Sequence, residues 1–167
     1  PHYFTLTERA VEGYDTNAKM NPPLRTQNDV ESICTALQDG TLDVIATDHA
    51  PHSVLEKEVE FDAAANGISG LETSLPLSLA LVRKGLLDPA RLVTLMSRAP
   101  AEILGVPGGT LEVGSVADIT VIDPEKKFTF SAGESVSKGK NSPFNGWELQ
   151  GKSVLTIVGG TITHRDL

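Results

Sequence analysis

A carboxylate and an imidazole follow an apolar run near the first third of the chain. Residues 44–47 (Val-Ile-Ala-Thr) lead directly into Asp48, and His52 follows shortly after it. Pro51 fixes φ and turns the chain out of the strand direction, so that His52 can lie over the same end. Such a pair can bind a metal, transfer a proton or hold an anionic substrate. On spacing alone, a strand followed by an ordinary polar loop is an equal alternative.

The element that must position these groups is predicted from the apolar run itself. Such a run is typical of a buried parallel strand, which presents functional groups at its C-terminal end. A helix is predicted before it, with Thr26 or Asn28 as its cap and Gly40 as its stop. Its apolar residues repeat at helical spacing: Val30, Ile33, Cys34 and Leu37. Helix, short turn and strand form the αβ half of a βα unit.

Two further segments could approach the same end of this strand. The consecutive prolines after Asn21 stiffen a loop that also carries Lys19 and Arg25, and stiffness lowers the entropic cost of holding a ligand. A plain proline-rich connector is the alternative. Residues 53–65 are acidic, lack a clean period and are predicted to form a long loop. Glycines in residues 66–70 would let the backbone turn sharply or approach a ligand closely.

The remaining chain divides into a helical part and a β-rich part. Helices are predicted from Leu71 to Lys84, with Pro76 in or near the first turns, and from Asp88-Pro89 onward; a further turn runs from Pro100 to Gly105. After Gly108-Gly109, short strands and a hairpin are predicted at 111–113, 117–122, 154–158 and 161–163. Residues 128–151 are interpreted as a loop in which Phe144 and Trp147 fill a small core.

Composition limits the class of protein. The 167 residues, 40% of them hydrophobic, suggest one domain or pieces of two. The net charge of −8 argues against nucleic acid or an anionic membrane as a partner. The single cysteine, Cys34, excludes an internal disulfide, fits a reducing cytoplasmic compartment and is interpreted as a core residue. Because the chain starts at Pro1 without a methionine, we expect it to be part of a longer protein.

Three motifs in one order resemble the bacterial class I dihydroorotases of the amidohydrolase superfamily. They are residues 20–25 (Met-Asn-Pro-Pro-Leu-Arg), 47–52 (Thr-Asp-His-Ala-Pro-His) and 67–73 (Gly-Ile-Ser-Gly-Leu-Glu-Thr). The tail also resembles that family, at residues 117–124 and at Ser142-Pro143-Phe144. The resemblance extends over essentially the whole chain.

This resemblance implies an α/β fold with two parts. Residues 1–107 would be the C-terminal portion of a (β/α)8 metallo-dependent hydrolase barrel, namely the end of strand 7, strand 8 and the following helices. Residues 108–167 would be part of a small β-sandwich. A complete barrel of this type needs about 200 residues or more. The N-terminal barrel half is therefore expected as a missing partner.

The resemblance also implies a reaction and roles for residues. The family interconverts L-dihydroorotate and N-carbamoyl-L-aspartate in pyrimidine biosynthesis, using one or two zinc ions. Asp48 would be a zinc ligand and the general acid/base. His52 and Asn21 would bind the substrate, and backbone groups of Asn66 and Gly67 would hold its ring. The family's His-x-His pair, its bridging residue and its two further metal histidines would all lie upstream of this chain.

Differences from the family leave alternatives open. Tyr3 stands where many relatives have histidine, and Asn66 stands where many have proline.

The leading expectation is a dihydroorotase fragment that is inactive alone. A non-catalytic subunit that scaffolds aspartate carbamoyltransferase is a second possibility, although intact Asp48, His52 and Asn21 weigh against it. Another cyclic amidohydrolase, such as a hydantoinase or allantoinase, is a third, and a homo-oligomer is compatible with each.

Overall fold

The structure, a computed structural model, describes residues 1–166. Helices and loops come first, and a three-stranded sheet follows. The α-helices are α1 (Gln27–Asp39), α2 (Val54–Lys57), α3 (Leu71–Arg83), α4 (Pro89–Val93) and α5 (Ala99–Leu104). Short 3-10 helices lie at His2–Phe4, Glu8–Val11 and Thr16–Ala18, and a π-helical turn, Thr94–Arg98, joins α4 to α5. The strands are β1 (Ile119–Thr129), β2 (Glu148–Val158) and β3 (Thr161–Arg165).

Helix α1 begins and ends where its sequence predicts. The Thr26 hydroxyl accepts from the Asp29 N–H, and the Asp29 carboxylate accepts from the Thr26 N–H, which together form a capping box. Gly40 ends the helix in the left-handed conformation, with φ of 87°. Val30 and Leu37 are buried, and Cys34 packs partly buried against the same core, which confirms its interpretation as a packing residue.

Helix α3 joins the helical part to the sheet. It continues through Pro76 to Arg83 and thus confirms the predicted helix to within one residue. Seven of its thirteen residues are buried, and it packs on β2. Gly151 allows this close approach, because a β-carbon there would overlap the Leu79 side chain. The Arg83 guanidinium also donates to the Gln150 carbonyl at 3.0 Å.

The sheet is antiparallel with strand order β1-β2-β3. Its first two strands are longer than predicted, since pairing runs from Ile119↔Ile157 to Thr129↔Glu148. The prediction that residues 128–151 are all loop is therefore wrong at both ends, and residues 111–113 form no strand. β1 is an edge strand, and a register shift between Asp123 and Lys127 accommodates Pro124 there. This irregularity interrupts the strand pattern, so the sequence does not show how far β1 extends.

The predicted strand before Asp48 is not a regular strand. Residues 44–47 pair with no neighbouring strand among the described residues, and the one parallel bridge nearby joins His49 to Ile68. Ile45 is nonetheless buried, and its N–H donates to the Leu95 carbonyl at 2.9 Å. A parallel strand needs neighbouring strands along its edges, and residues 1–166 supply none beside residues 44–47.

Two smaller predictions also need correction. Residues 53–65 are not loop throughout, because Ser53 and Glu56 form a capping box that starts α2. Phe144 is fully buried in the main core, whereas Trp147, which packs edge-on against it at 5.1 Å, is 40% exposed and lies at the core's margin.

Within residues 1–166, no helix has the length and apolar character needed to cross a membrane.

Candidate active site

Asp48 lies at a strained point of the backbone. Its φ is 47°, a left-handed value that is uncommon for a residue with a side chain, and the residue is exposed. The segment after it is held by hydrogen bonds from the Ala50 N–H to the Ile68 carbonyl, at 2.8 Å, and from the Gly70 N–H to His49 Nδ1, at 3.1 Å. These bonds fix the backbone that follows Asp48, whose exposed carboxylate is able to bind a cation or exchange a proton.

The 3-10 helix at the start of the chain lies beside Asp48. His2 is only 5% exposed, and burial lowers its pKa to about 4, although Asp48 opposes this shift. The His2 ring is therefore neutral at pH 7. Burial and the Asp48 charge raise the pKa of Tyr3, whose hydroxyl donates to the Pro22 carbonyl. Tyr3 thus joins the neighbourhood of Asp48 to the loop that carries Asn21.

The His52 ring is held by the loop that precedes α3. Its Nε2 lies 2.9 Å from the Asn66 carbonyl, and its Nδ1 lies 3.6 Å from the Glu56 carboxylate. A carbonyl can only accept, so Nε2 carries a proton and donates to the Asn66 carbonyl. The pKa of Glu56 is lowered, mainly by hydrogen bonds from Ser53 and to a smaller extent by His52. His52 is therefore oriented before any ligand arrives.

Gly67 is a crowded backbone position of this site. Its φ is 106°, and a β-carbon there would lie 2.7 Å from the Ala50 β-carbon. Its N–H donates to the Lys19 carbonyl at 2.9 Å. Its carbonyl accepts from Lys57 Nζ and from Asn141 Nδ2, both at 3.1 Å. The Gly67 backbone groups, predicted to contact a ligand, therefore already have partners inside the protein.

Two lysines bind the backbone of the segment before Gly67. Lys19 Nζ donates to the carbonyls of Asp62 and Ala64, at 2.8 and 2.7 Å. Lys57 Nζ donates to the Ala65 carbonyl at 2.7 Å as well as to Gly67. Lys57 is 3% exposed, and burial lowers its pKa, with Lys19 adding to the effect. Both ammonium groups therefore bring positive charge beside the candidate site.

The predicted site residues are brought together through their segments. Gly67 contacts the Lys19 backbone, Tyr3 contacts Pro22, and His52 contacts Asn66 directly. Asn21 is exposed in the loop between Lys19 and Pro22, so it lies in the same neighbourhood.

Sequence reasoning missed Lys57 and Asn141 altogether. The burial of Lys57 within an acidic stretch has no periodic signal. Asn141 carried one weak signal, because it directly precedes the Ser142-Pro143-Phe144 motif.

The described residues do not complete a zinc site. No group of three or more His, Cys, Asp or Glu side chains within residues 1–166 is placed to hold a metal ion. Asp48 offers one exposed carboxylate, whereas catalytic zinc sites in proteins usually have three protein ligands. The role of Asp48 as a zinc ligand therefore stays a prediction.

Known proteins match this chain over nearly its full length. The sequence profile of the Amidohydrolase family matches residues 10–163. A protein named dihydroorotase from Desulfotalea psychrophila is 66% identical over 160 residues, which is 96% of this chain and 38% of that protein. A dihydroorotase from Geobacter sp. strain M21 is 60% identical over 165 residues, 99% of this chain and 39% of its own. The predicted resemblance to dihydroorotases is thereby confirmed.

Solved structures match the fold equally well. An L-hydantoinase from Arthrobacter aurescens aligns with a TM-score of 0.93 and 36% identity, covering 99% of this chain and 38% of that one. A D-hydantoinase from Thermus sp. aligns with a TM-score of 0.89 and 30% identity. The chain thus spans 38–39% of the length of these relatives. On the profile match and these alignments together, the chain belongs to the amidohydrolase family.

Proposed function

We propose that these residues form part of a zinc-dependent dihydroorotase, which interconverts L-dihydroorotate and N-carbamoyl-L-aspartate in pyrimidine biosynthesis. The observation that carries the proposal is 66% identity to a dihydroorotase over 96% of the chain. The proposal includes the division into a barrel part, residues 1–107, and a β-sandwich part, residues 108–167. Since the chain spans 38% of that relative, the activity belongs to a longer assembly that includes the remaining barrel half.

In this proposal Asp48 is one zinc ligand and the general acid/base. An exposed carboxylate in a constrained turn can accept a proton from an attacking water and then return it to the leaving amide nitrogen. The strained backbone at Asp48 supports this role, because such conformations persist where the surrounding structure enforces them, often at functional sites. The other metal ligands would come from the rest of the enzyme.

His52 and Asn66 would bind substrate by exchanging partners. Free of ligand, the Nε2–H of His52 donates to the Asn66 carbonyl at 2.9 Å. A substrate carboxylate would take this donor, since a hydrogen bond to a charged acceptor is stronger than one to a carbonyl. The freed Asn66 carbonyl would then accept from a ring N–H of the substrate. Asn21 would add a further contact, whereas the Gly67 backbone groups would bind the substrate only by giving up one of their present partners.

Charge near the site supports an anionic substrate. The chain carries a net charge of −8, which would repel such a ligand in general. Lys19 and Lys57 bind carbonyl oxygens, and within residues 1–166 neither ammonium is ion-paired to a carboxylate. Their positive charge therefore remains available to the site beside Gly67.

A chimera tests the proposal directly. This chain would replace the matching segment of the Desulfotalea psychrophila dihydroorotase, and hydrolysis of dihydroorotate with added zinc would be followed by ultraviolet absorbance. We expect turnover by the chimera, loss of about 10²-fold or more in Asp48→Asn, and no turnover by the isolated 167-residue chain. A folded chimera without activity would contradict the proposal. Stoichiometric, chelation-resistant zinc on the isolated chain would contradict the assignment of Asp48 as its one ligand.

A hydantoinase-type activity is the second candidate. The TM-score of 0.93 to the Arthrobacter aurescens L-hydantoinase favours it. In the chimera, Asn21 and His52 come from this chain. The ratio of dihydroorotate turnover to hydantoin turnover therefore shows which of the two substrates these residues favour. Faster turnover of hydantoin would replace the proposal with this alternative. A scaffolding role would instead appear as co-elution with aspartate carbamoyltransferase in size-exclusion chromatography.

A further inference from the structure

One buried asparagine joins the two loops of the candidate site. Asn141 lies in the connection between β1 and β2 and is 4% exposed. Its Nδ2 donates to the Ala50 carbonyl at 3.0 Å and to the Gly67 carbonyl at 3.1 Å. Its Oδ1 accepts from the His52 N–H at 2.9 Å and lies 3.1 Å from the Ser69 hydroxyl oxygen, whose single hydrogen it shares with the Gly139 carbonyl. Its own carbonyl accepts from the Ser69 N–H at 2.9 Å.

These contacts use nearly all of the hydrogen-bonding capacity of the Asn141 side chain. A carboxamide has two N–H donors and an oxygen with two lone pairs; both donors and one lone pair have a partner of their own, and the other lone pair shares the Ser69 hydrogen. Three partners are backbone groups, at Ala50, His52 and Gly67, and the fourth is the Ser69 hydroxyl. Residues far apart in the chain are thus held together by one planar group.

The backbone just before Asn141 also packs closely against the loop that carries His52. A β-carbon at Gly139 would lie 2.6 Å from the Pro51 β-carbon and 2.8 Å from the His52 nitrogen. The Gly139 carbonyl accepts from the Ser69 hydroxyl at 2.8 Å. The whole segment from Gly139 to Asn141 therefore fits between the His52 loop and the Gly67 loop.

We propose that Asn141 is a positioning residue that sets the distance and orientation of His52 relative to Asn66 and Gly67. This inference rests on the proposed function, in which these groups bind the substrate. Asn141 touches neither substrate nor metal. It acts from the part of the chain that carries the sheet, so substrate affinity depends on the packing of the β1–β2 connection.

The kinetic test uses Asn141→Ala and Asn141→Asp in the active chimera. Asn145→Ala is the matched control, because Asn145 lies in the same connection and accepts from the Ala132 N–H at 2.9 Å without contacting the site. We expect Asn141→Ala to raise KM for dihydroorotate at least about tenfold, which corresponds to the loss of one or two hydrogen bonds, with a much smaller change in kcat. A merely structural role would lower the active fraction, and so kcat, and leave KM unchanged.

The Asn141→Asp variant tests the two N–H donors of the side chain separately from its acceptor oxygen. The carboxylate can still accept from His52 and Ser69, but it loses both donors and faces the carbonyls of Ala50 and Gly67. We expect KM to rise here too, and this isosteric variant decides the matter if Asn141→Ala fails to fold. A KM within about twofold of the Asn145→Ala value in both variants would overturn the proposal.

Amide hydrogen exchange provides a test that needs no activity. In the 167-residue chain, Asn141→Ala should speed exchange of the His52 amide at least about tenfold, whereas Asn145→Ala should speed that of the Ala132 amide and leave His52 unchanged. If the wild-type chimera does not hydrolyse dihydroorotate, the proposed function fails, and exchange alone decides the role of Asn141. Equal His52 exchange in the two variants would then overturn it.

Discussion

The loop cluster and the sheet are stabilised in different ways. The loop cluster comprises residues 48–52, 66–70 and 139–141, and side chains make most of its connections. His52 and Asn141, for example, are joined by a bond across 89 positions of sequence. The sheet, β1 to β3, is held by a backbone ladder and by packing against α3. One side chain can therefore define local geometry in the loop cluster, whereas no single ladder bond does so in the sheet.

This difference separates the effects expected from substitution. In the sheet, pairing depends on backbone groups that every residue type except proline supplies, so many side chains can change without moving the ladder. In the loop cluster, losing one side chain leaves several buried carbonyls or N–H groups without partners. Single substitutions in the loop cluster should thus change both ligand binding and stability, whereas many in the sheet should change neither.

The largest expected effect is at Phe144, a core residue of the connection between the loop cluster and β2. Phe144→Ala should lower the free energy of unfolding by about 3–5 kcal/mol, because a fully buried aromatic ring leaves a cavity when removed. Urea denaturation of the 167-residue chain measures it. Trp147→Ala is the control, since that ring is 40% exposed and should cost much less. Equal losses would mean that the two regions are not joined through Phe144.

A smaller effect is expected within the loop cluster. Gly67→Ala should cost about 1–3 kcal/mol, because its positive φ strains any other residue and the new methyl group meets Ala50. Gly146→Ala is the matched control: its φ is 81°, but nothing lies within 4 Å of a β-carbon there. Thermal unfolding of both variants isolates the cost of crowding. If the control lost as much, strain alone would explain the effect.

The smallest effect is expected at the end of the sheet. The Asp166 carboxylate contacts Lys126 at 3.0 Å and Lys152 at 2.8 Å, and hydrogen bonds from these lysines lower its pKa from 3.8 to about 2. Because the folded-state value lies below the unfolded one, the stabilisation is complete above pH 3.8 and is lost as pH falls towards 2.

Comparing the Tm of Asp166→Asn with that of the unsubstituted chain measures this contribution. We expect a small deficit at pH 7 that disappears near pH 2. Since the site is exposed, salt should also reduce the deficit. A deficit that persisted at low pH would assign the effect to packing rather than to charge.

Predictability from the sequence differed between elements for physical reasons. Helix α1 was predictable because its cap at Thr26, its stop at Gly40 and its apolar period are all local. The strand at residues 44–47 was predicted wrongly, because strand pairing depends on neighbours that an apolar run does not specify. Strand β1 was predicted too short, because the irregularity at Pro124 interrupts its alternation while its partner β2 maintains the ladder.

The sequence by itself determined the family, the order of the three motifs and the identity of the candidate site residues Asp48, His52, Asn21, Asn66 and Gly67. The resemblance of three motifs, in one order, to a known family is enough for that. The tertiary structure alone decided that Asn66 engages the His52 ring and that Asn141 joins the two loops. Such hydrogen bonds link residues distant in sequence, and their geometry depends on how the β1–β2 connection packs against the helical part.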